Sequence, residues 1–129
     1  MHVRCIIVDD SRRFTDAARL LLEREGLVVV GTASNGSDAI DLVDALSPDL
    51  VLLDIDLGEE SGFDVAKKLG GYHAGPSAAE RPEIILVSMH DEEDFADLIE
   101  ASPVAGFLAK SDLSGDAIRD LLRRNARSE

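Results

Sequence analysis

Apolar residues along this chain come in two textures. Short, nearly unbroken runs alternate with longer stretches in which apolar positions recur every three or four residues. The runs fall at 3–8, 27–32, 50–53, 84–87 and 105–109, and runs of that length read as buried strands. Between the first two, Phe14, Ala17, Ala18, Leu21 and Leu22 form a stripe at helical spacing. Ser11 is suited to cap that helix, spanning 11–25, and Gly26 to stop it. Asn35-Gly36 turns the chain, and Ser37 is placed to cap a second helix that buries Ile40, Val43 and Leu46 and ends at Pro48. A short third helix is predicted over 61–69, closed by Gly70-Gly71. A fourth covers 91–101 with Phe95, Leu98 and Ile99 inward. A fifth covers 114–124 with Ile118, Leu121 and Leu122 inward.

The pattern is strand then helix, five times over. Strands that are apolar throughout, rather than at alternate positions, must be covered on both faces. Right-handed crossovers then produce a doubly wound α/β fold, a five-stranded parallel sheet between two helical layers. Ligands in such sheets bind beyond the carboxyl ends of the strands. The irregular stretch 72–83, which holds His73, precedes a strand and belongs at the opposite end. His73 is therefore expected to be a surface residue remote from any chemistry.

Composition narrows this little. A chain of 129 residues fits one domain, and buries roughly two-thirds of its unfolded surface. Cys5 is the only cysteine and sits in the first apolar run, as expected of a buried inert thiol. There is no run of about 18 apolar residues that would span a membrane, and the amino end does not read as a signal peptide, so a cytoplasmic location is expected. The net charge of −13, from 26 acids and 13 bases, opposes contact with nucleic acid by this segment. Much of the excess reads as solvated helix faces. Asp91-Glu92-Glu93-Asp94 is such a face, an acidic first turn favourable to the helix dipole.

The chemistry lies where the runs stop. The first run ends at Asp9-Asp10, the third at Asp54, the fourth at Ser88 and the fifth at Lys110. The second ends at Thr32-Ala33-Ser34, without charge. In the strand order 2-1-3-4-5, that uncharged strand is the edge and the other four are neighbours. Alone, Asp9-Asp10 could cap the next helix and Asp54 could be a turn residue. Together they place three carboxylates and one ammonium in one crevice. Two like charges about 4 Å apart repel by about 4 kcal/mol at an effective dielectric of about 20, and Lys110 offsets only part of that. A hard divalent cation with oxygen ligands, Mg²⁺ for choice, would offset the rest. A carboxylate, a divalent cation, a lysine and a hydroxyl are the equipment of phosphoryl transfer.

At these residues the chain resembles the receiver domain of two-component response regulators. The carrying segments are Ile6-Ile7-Val8-Asp9-Asp10, Leu52-Leu53-Asp54, Gly62, Leu86-Val87-Ser88 and Gly106-Phe107-Leu108-Ala109-Lys110. The resemblance implies a flavodoxin-like fold of order 2-1-3-4-5, one receiver domain over 1–129 with its core at about 3–124, and no output domain in this chain. It implies that Asp54 accepts a phosphoryl group from a sensor histidine kinase or a phosphotransfer protein. Asp9, Asp10, Asp54 and the backbone carbonyl of Asp56 would hold Mg²⁺. Lys110 would pair with Asp54 and then with the phosphoryl oxygens. Ser88 would swing toward the phosphoryl group, and Phe107 would turn inward as it moves. The face of the fourth helix, fifth strand and fifth helix would then change partners, homodimerisation included. The 106–110 stretch and the helix after it are similar to receivers that carry a helix-turn-helix output, so a longer transcriptional regulator is expected. On this reading the chain is a switch, not an enzyme beyond its own phosphorylation and dephosphorylation.

Several positions depart from the family pattern. Gly58 stands where proline is usual, and Ser88 replaces the commoner threonine. Met89 replaces a small residue, and Asp56 adds an acid two residues after the acceptor. Met89 and His90 lie close enough in sequence to modulate the site, and Met89 and Asp56 are expected to alter the lifetime of the phosphoryl group. Two other readings use the same residues. Asp54-Ile55-Asp56 resembles the nucleophile motif of haloacid-dehalogenase-type phosphatases, although there the acidic pair comes late in the chain. It also resembles the Asp-x-Asp of Toprim-like domains, whose early glutamate is missing here.

Overall fold

The computed structural model describes residues 3–72, 82–90, 92–101 and 104–127. His73 and Asp91 lie outside the described residues. Strands β1 (Arg4–Val8), β2 (Val28–Ala33), β3 (Leu50–Asp54), β6 (Glu83–Ser88) and β7 (Gly106–Ala109) form one sheet of order β2-β1-β3-β6-β7. Every pairing in it is parallel. Counting only these five, the order is the expected 2-1-3-4-5, with the uncharged strand at the edge. Helices α1 (Arg12–Arg24), α2 (Gly36–Leu46), α3 (Gly62–Tyr72), α4 (Ala96–Glu100) and α5 (Gly115–Arg127) alternate with them. Two short strands, β4 (Asp56–Leu57) and β5 (Glu60–Ser61), make a separate antiparallel hairpin directly after β3.

Strand side chains alternate between two cores, one on each face of the sheet. Ile6, Val8, Val51, Leu53, Ile84 and Leu86 pack toward α2 and α3. Cys5, Ile7, Leu50, Leu52 and Ile85 pack with Ala18 and Leu22 of α1 and Ile118 of α5. Both faces are buried along β1, β3 and β6, which is why these strands read as unbroken apolar runs. Burial pushes the Cys5 thiol up to about 12, with Glu23 adding to the effect, so it stays neutral and unreactive.

The helix starts are fixed by side chains. Ser11 Oγ accepts from the Phe14 N–H at 3.3 Å, as expected of an N-cap. The second cap is not Ser37 but Asn35, whose Oδ1 accepts from the Asp38 N–H at 2.8 Å. Asn35 can take the extended backbone a cap requires, and Ser37 already lies inside the helix. Ser47, just before Pro48, closes α2 in the left-handed region at φ 47°, and Gly26 closes α1 at φ 96°.

Three other expectations are corrected. Gly70 and Gly71 do not stop α3, which runs through them to Tyr72. The stretch 91–101 is a 3₁₀ turn at Glu92–Phe95 followed by the short α4, not one helix. Leu98 of α4 is exposed, as are Leu20 and Leu21 of α1, and so is Ala17. The buried stripe of α1 is Thr15, Ala18 and Leu22. Among the described residues no helix is long and apolar enough to cross a membrane.

Candidate functional site

The carboxyl ends of β1, β3, β6 and β7 bring Asp9, Asp54, Ser88 and Lys110 together on one rim. Asp9 is 3% exposed, Asp54 5% and Ser88 3%, whereas Asp10 faces solvent. The register that places them is set by the apolar pairs below: Val8 lies beside Leu53, and Asp54 beside Val87. Slipping one strand by one residue would send an acid into a core, so the rim is held by the packing beneath it.

Asp9, Asp10 and Asp54 each offer a carboxylate oxygen within 4.8 Å of the others. Asp9 Oδ1 accepts from the Ser11 N–H at 2.7 Å. Its other oxygen, Oδ2, is buried without a well-directed hydrogen bond, and lies 2.7 Å from Lys110 Nζ as a charge contact. Lys110 Nζ is 3.5 Å from Asp54 Oδ2. Lys110 thus pairs with Asp54 as expected, and sits nearer still to Asp9. Asp54 Oδ1 accepts from the Asp56 N–H at 3.2 Å.

These neighbours do not satisfy Asp54. Burial, then the Asp9 charge, push its carboxyl from 3.8 up to about 6, against the Asp56 N–H and Lys110, which lower it. Lys110 moves up as well. Its burial works the other way, but contacts with Asp9 and Asp54 outweigh it. An acid raised by burial beside a second acid is the signature of missing positive charge. Three oxygen donors in close reach, one of them exposed, suit a hard divalent cation that keeps part of its water shell.

The remaining predicted residues fall around this centre. Ser88 Oγ accepts from the His90 N–H at 3.0 Å. The exposed His90 ring meets Phe95 edge-on at 6.2 Å, and Phe95 meets Phe63 at 6.0 Å. Met89 is 80% exposed, on the rim but not packed. The Asp56 side chain is exposed, and its Oδ1 accepts from the Gly58 N–H at 3.2 Å. Phe107 is 8% exposed and lies in the core on the α2/α3 face. A ring that the sequence suggested would turn inward already points inward in this structure.

Two residues were missed as contributors to the rim. The Phe14 ring, read from sequence only as a core position, lies under Lys110 Nζ at 4.2 Å and adds a cation–π contact. Glu60 accepts from the Gly36 N–H at 2.9 Å across 24 residues. Neither contact has a signal in local spacing, because each joins elements distant in sequence. Gly62, by contrast, was singled out, and the structure supplies its reason. A Cβ there would collide with the Asp54 carbonyl oxygen, and the Gly62 N–H donates to the Ile55 carbonyl at 2.6 Å.

The geometry agrees with comparison to known proteins. Residues 5–123 match the response regulator receiver domain, and the chain belongs to that family. It is 36% identical over 126 residues to the positive alginate biosynthesis regulatory protein of Pseudomonas aeruginosa, an alignment covering 95% of this chain and 46% of that protein. It is 37% identical over 92 residues to protein-glutamate methylesterase/protein-glutamine glutaminase 5 of Myxococcus xanthus, covering 70% of this chain and 25% of that protein. The signal receiver domain of the response regulator NarL from Mycobacterium tuberculosis superposes with a TM-score of 0.79 at 27% identity, with 97% of each chain covered. The chain spans about half the length of the Pseudomonas relative and a quarter of the Myxococcus one. Receiver membership decides against the phosphatase and Toprim-like readings. The relatives that share this region include proteins named as transcriptional regulators and a methylesterase/glutaminase.

Proposed function

We propose that this domain is a phosphorylation switch in which Asp54 accepts a phosphoryl group from a phosphohistidine. The observation that carries the reading is the crowding of Asp9, Asp10 and Asp54 within 4.8 Å around a lysine that cannot neutralise them all. An Asp54 oxygen attacks phosphorus, the phosphorus–nitrogen bond breaks, and the electron pair returns to the departing imidazole. Asp9, Asp10, Asp54 and the Asp56 carbonyl would hold Mg²⁺, whose chemistry at this site is to neutralise charge on the transferring phosphoryl oxygens. Lys110 stabilises the same oxygens. Its closeness to Asp9 keeps it on the rim before transfer, and Phe14 supports it from beneath.

Ser88 is the natural sensor of the new charge. Its oxygen accepts from the His90 N–H, which leaves the hydroxyl proton to be donated to phosphoryl oxygens. Because Phe107 already lies inside, Ser88 movement would lock the ring in place rather than admit it. The α4–β7–α5 face would carry the change outward. A cleft of about 460 Å³ between β7 and α5, lined by Gly106, Leu108, Leu121 and others, lies on that face, and homodimerisation through the face is part of the proposal. A sensor histidine kinase or phosphotransfer protein is the proposed donor. Transcriptional control through a region outside this receiver is the proposed output, in the cytoplasm, with no DNA contact by this acidic segment.

The test is the intact mass after incubation with acetyl phosphate and Mg²⁺. Wild type should gain one phosphoryl group and Asp54→Asn none. Equal labelling of both would remove Asp54 as the acceptor.

A further inference from the structure

We propose that Glu60 is a positioning residue for the cation site, acting through the β4–β5 hairpin. The inference rests on the reading of Asp10, Asp54 and the Asp56 carbonyl as Mg²⁺ ligands. The hairpin begins at Asp56, whose N–H already binds the acceptor carboxylate, and turns at Gly58 with φ 75°. A Cβ on Gly58 would stand 3.4 Å from Asp10 Oδ2, so the turn passes directly beside the exposed carboxylate of the cluster. Glycine at the turn accepts the left-handed conformation, and the Gly58 N–H is held within the turn by Asp56 Oδ1. That contact is internal to the hairpin, so other contacts must tie the arch to the rest of the fold.

Two anchors do so. One is Gly62, whose close approach to Asp54 and Ile55 ties the far end of the hairpin to β3. The other is Glu60. It pairs through its backbone with Leu57, and its Oε1 accepts from the Gly36 N–H at the first residue of α2. Gly36 is buried, and its N–H is one of the amides a helix start leaves without an internal partner. A Cβ at Gly36 would come within 2.6 Å of Glu60 Oε2 and 2.8 Å of Val65 Cγ2. Glycine there lets the carboxylate lie against the helix start. The negative charge also suits the positive end of the α2 dipole. Glu60 therefore braces the segment carrying the Asp56 carbonyl against a rigid helix.

Four proteins measured together test this: wild type, Glu60→Ala, Glu60→Asp and Glu60→Gln. Mg²⁺ affinity is read by titration calorimetry well below the melting temperature. Amide hydrogen exchange at Gly36 and Asp56 is read without metal. Glu60→Ala should weaken Mg²⁺ about tenfold, as loss of an outer support of a metal site does. It should also speed exchange at both amides. Glu60→Asp keeps the charge but not the reach, and should resemble Glu60→Ala. Glu60→Gln keeps the acceptor oxygen without the charge, and should stay within about threefold of wild type on the same scale. Full Mg²⁺ affinity in Glu60→Ala or Glu60→Asp would overturn the bracing role. So would a Glu60→Gln as weak as Glu60→Ala, since charge alone would then account for the loss. Wild type that binds no Mg²⁺ would overturn both this inference and the functional reading it rests on.

Discussion

The interior of the sheet and its carboxyl rim are built from the same strands and obey opposite rules. Leu52 and Asp54 sit two residues apart on β3, and both are buried. Around Leu52 every neighbour gains from being there. Around Asp54 the nearest carboxylate repels it and burial penalises its charge. Cys5 sharpens the contrast, because burial of that ionisable group merely keeps it neutral. The interior supplies the stability that lets the rim hold a group in an unfavourable state, and that unfavourable state is what a cation and a phosphoryl group can relieve.

The difference can be broken from either side. Leu52→Ala should destabilise by about 2 to 5 kcal/mol, as truncations in closed cores do, with the measurement being urea unfolding followed by circular dichroism. A loss below about 1 kcal/mol would mean the core under the rim is looser than its burial implies. Lys110→Met should come next, at about 3 kcal/mol without metal, because it strands the buried Asp9 carboxylate. Added Mg²⁺ should restore most of that loss. If it restores none, the lysine and the cation do not share one task.

Asp54→Asn should act with the opposite sign. Its carboxyl is held at about 6, against 3.8 when unperturbed. The folded state therefore binds a proton more tightly than the unfolded one. That favourable proton linkage is full below about pH 4 and is lost as pH rises through 6. Metal-free wild type should thus lose about 3 kcal/mol from this group between pH 4 and 7, and Asp54→Asn should not. Denaturation midpoints of the two proteins across that range give the comparison, and parallel curves would contradict it. The smallest effect belongs to Met89. Largely out in solvent, it should contribute under about 0.5 kcal/mol to stability. Met89→Ala should nonetheless shorten the life of the aspartyl phosphate by opening the rim to water, and an unchanged decay rate would clear Met89 of that role.

The interior was readable from sequence because continuous apolar runs have one physical explanation, burial on both faces, and the rim was readable because those runs stop abruptly at acids, a hydroxyl and a lysine. What lay between was not. The β4–β5 hairpin has strands of two residues each, too short for any periodicity. Gly70-Gly71 has the look of a helix stop, yet packing of Val65, Ala66 and Leu69 against the core carries α3 past it. On α1, contact with the sheet kept Ala18 and Leu22 of the expected stripe, added Thr15, and left Ala17 and Leu21 exposed. Within the site, residue types and strand ends were legible. The preference of Lys110 for Asp9, the support from Phe14 and the brace from Glu60 are distances between separate elements, and they exist only once the chain is folded.

On this reading Asp54 is held short of positive charge until a cation arrives. Carbon-13 NMR of the aspartate carboxyl groups, titrated with and without Mg²⁺, reads this directly. Without metal the Asp54 resonance should titrate near pH 6, and saturating Mg²⁺ should move that midpoint well down, into or below the ordinary carboxylate range. A midpoint near 3.8 that Mg²⁺ leaves in place would show a carboxylate already satisfied, and the account of the rim would fail.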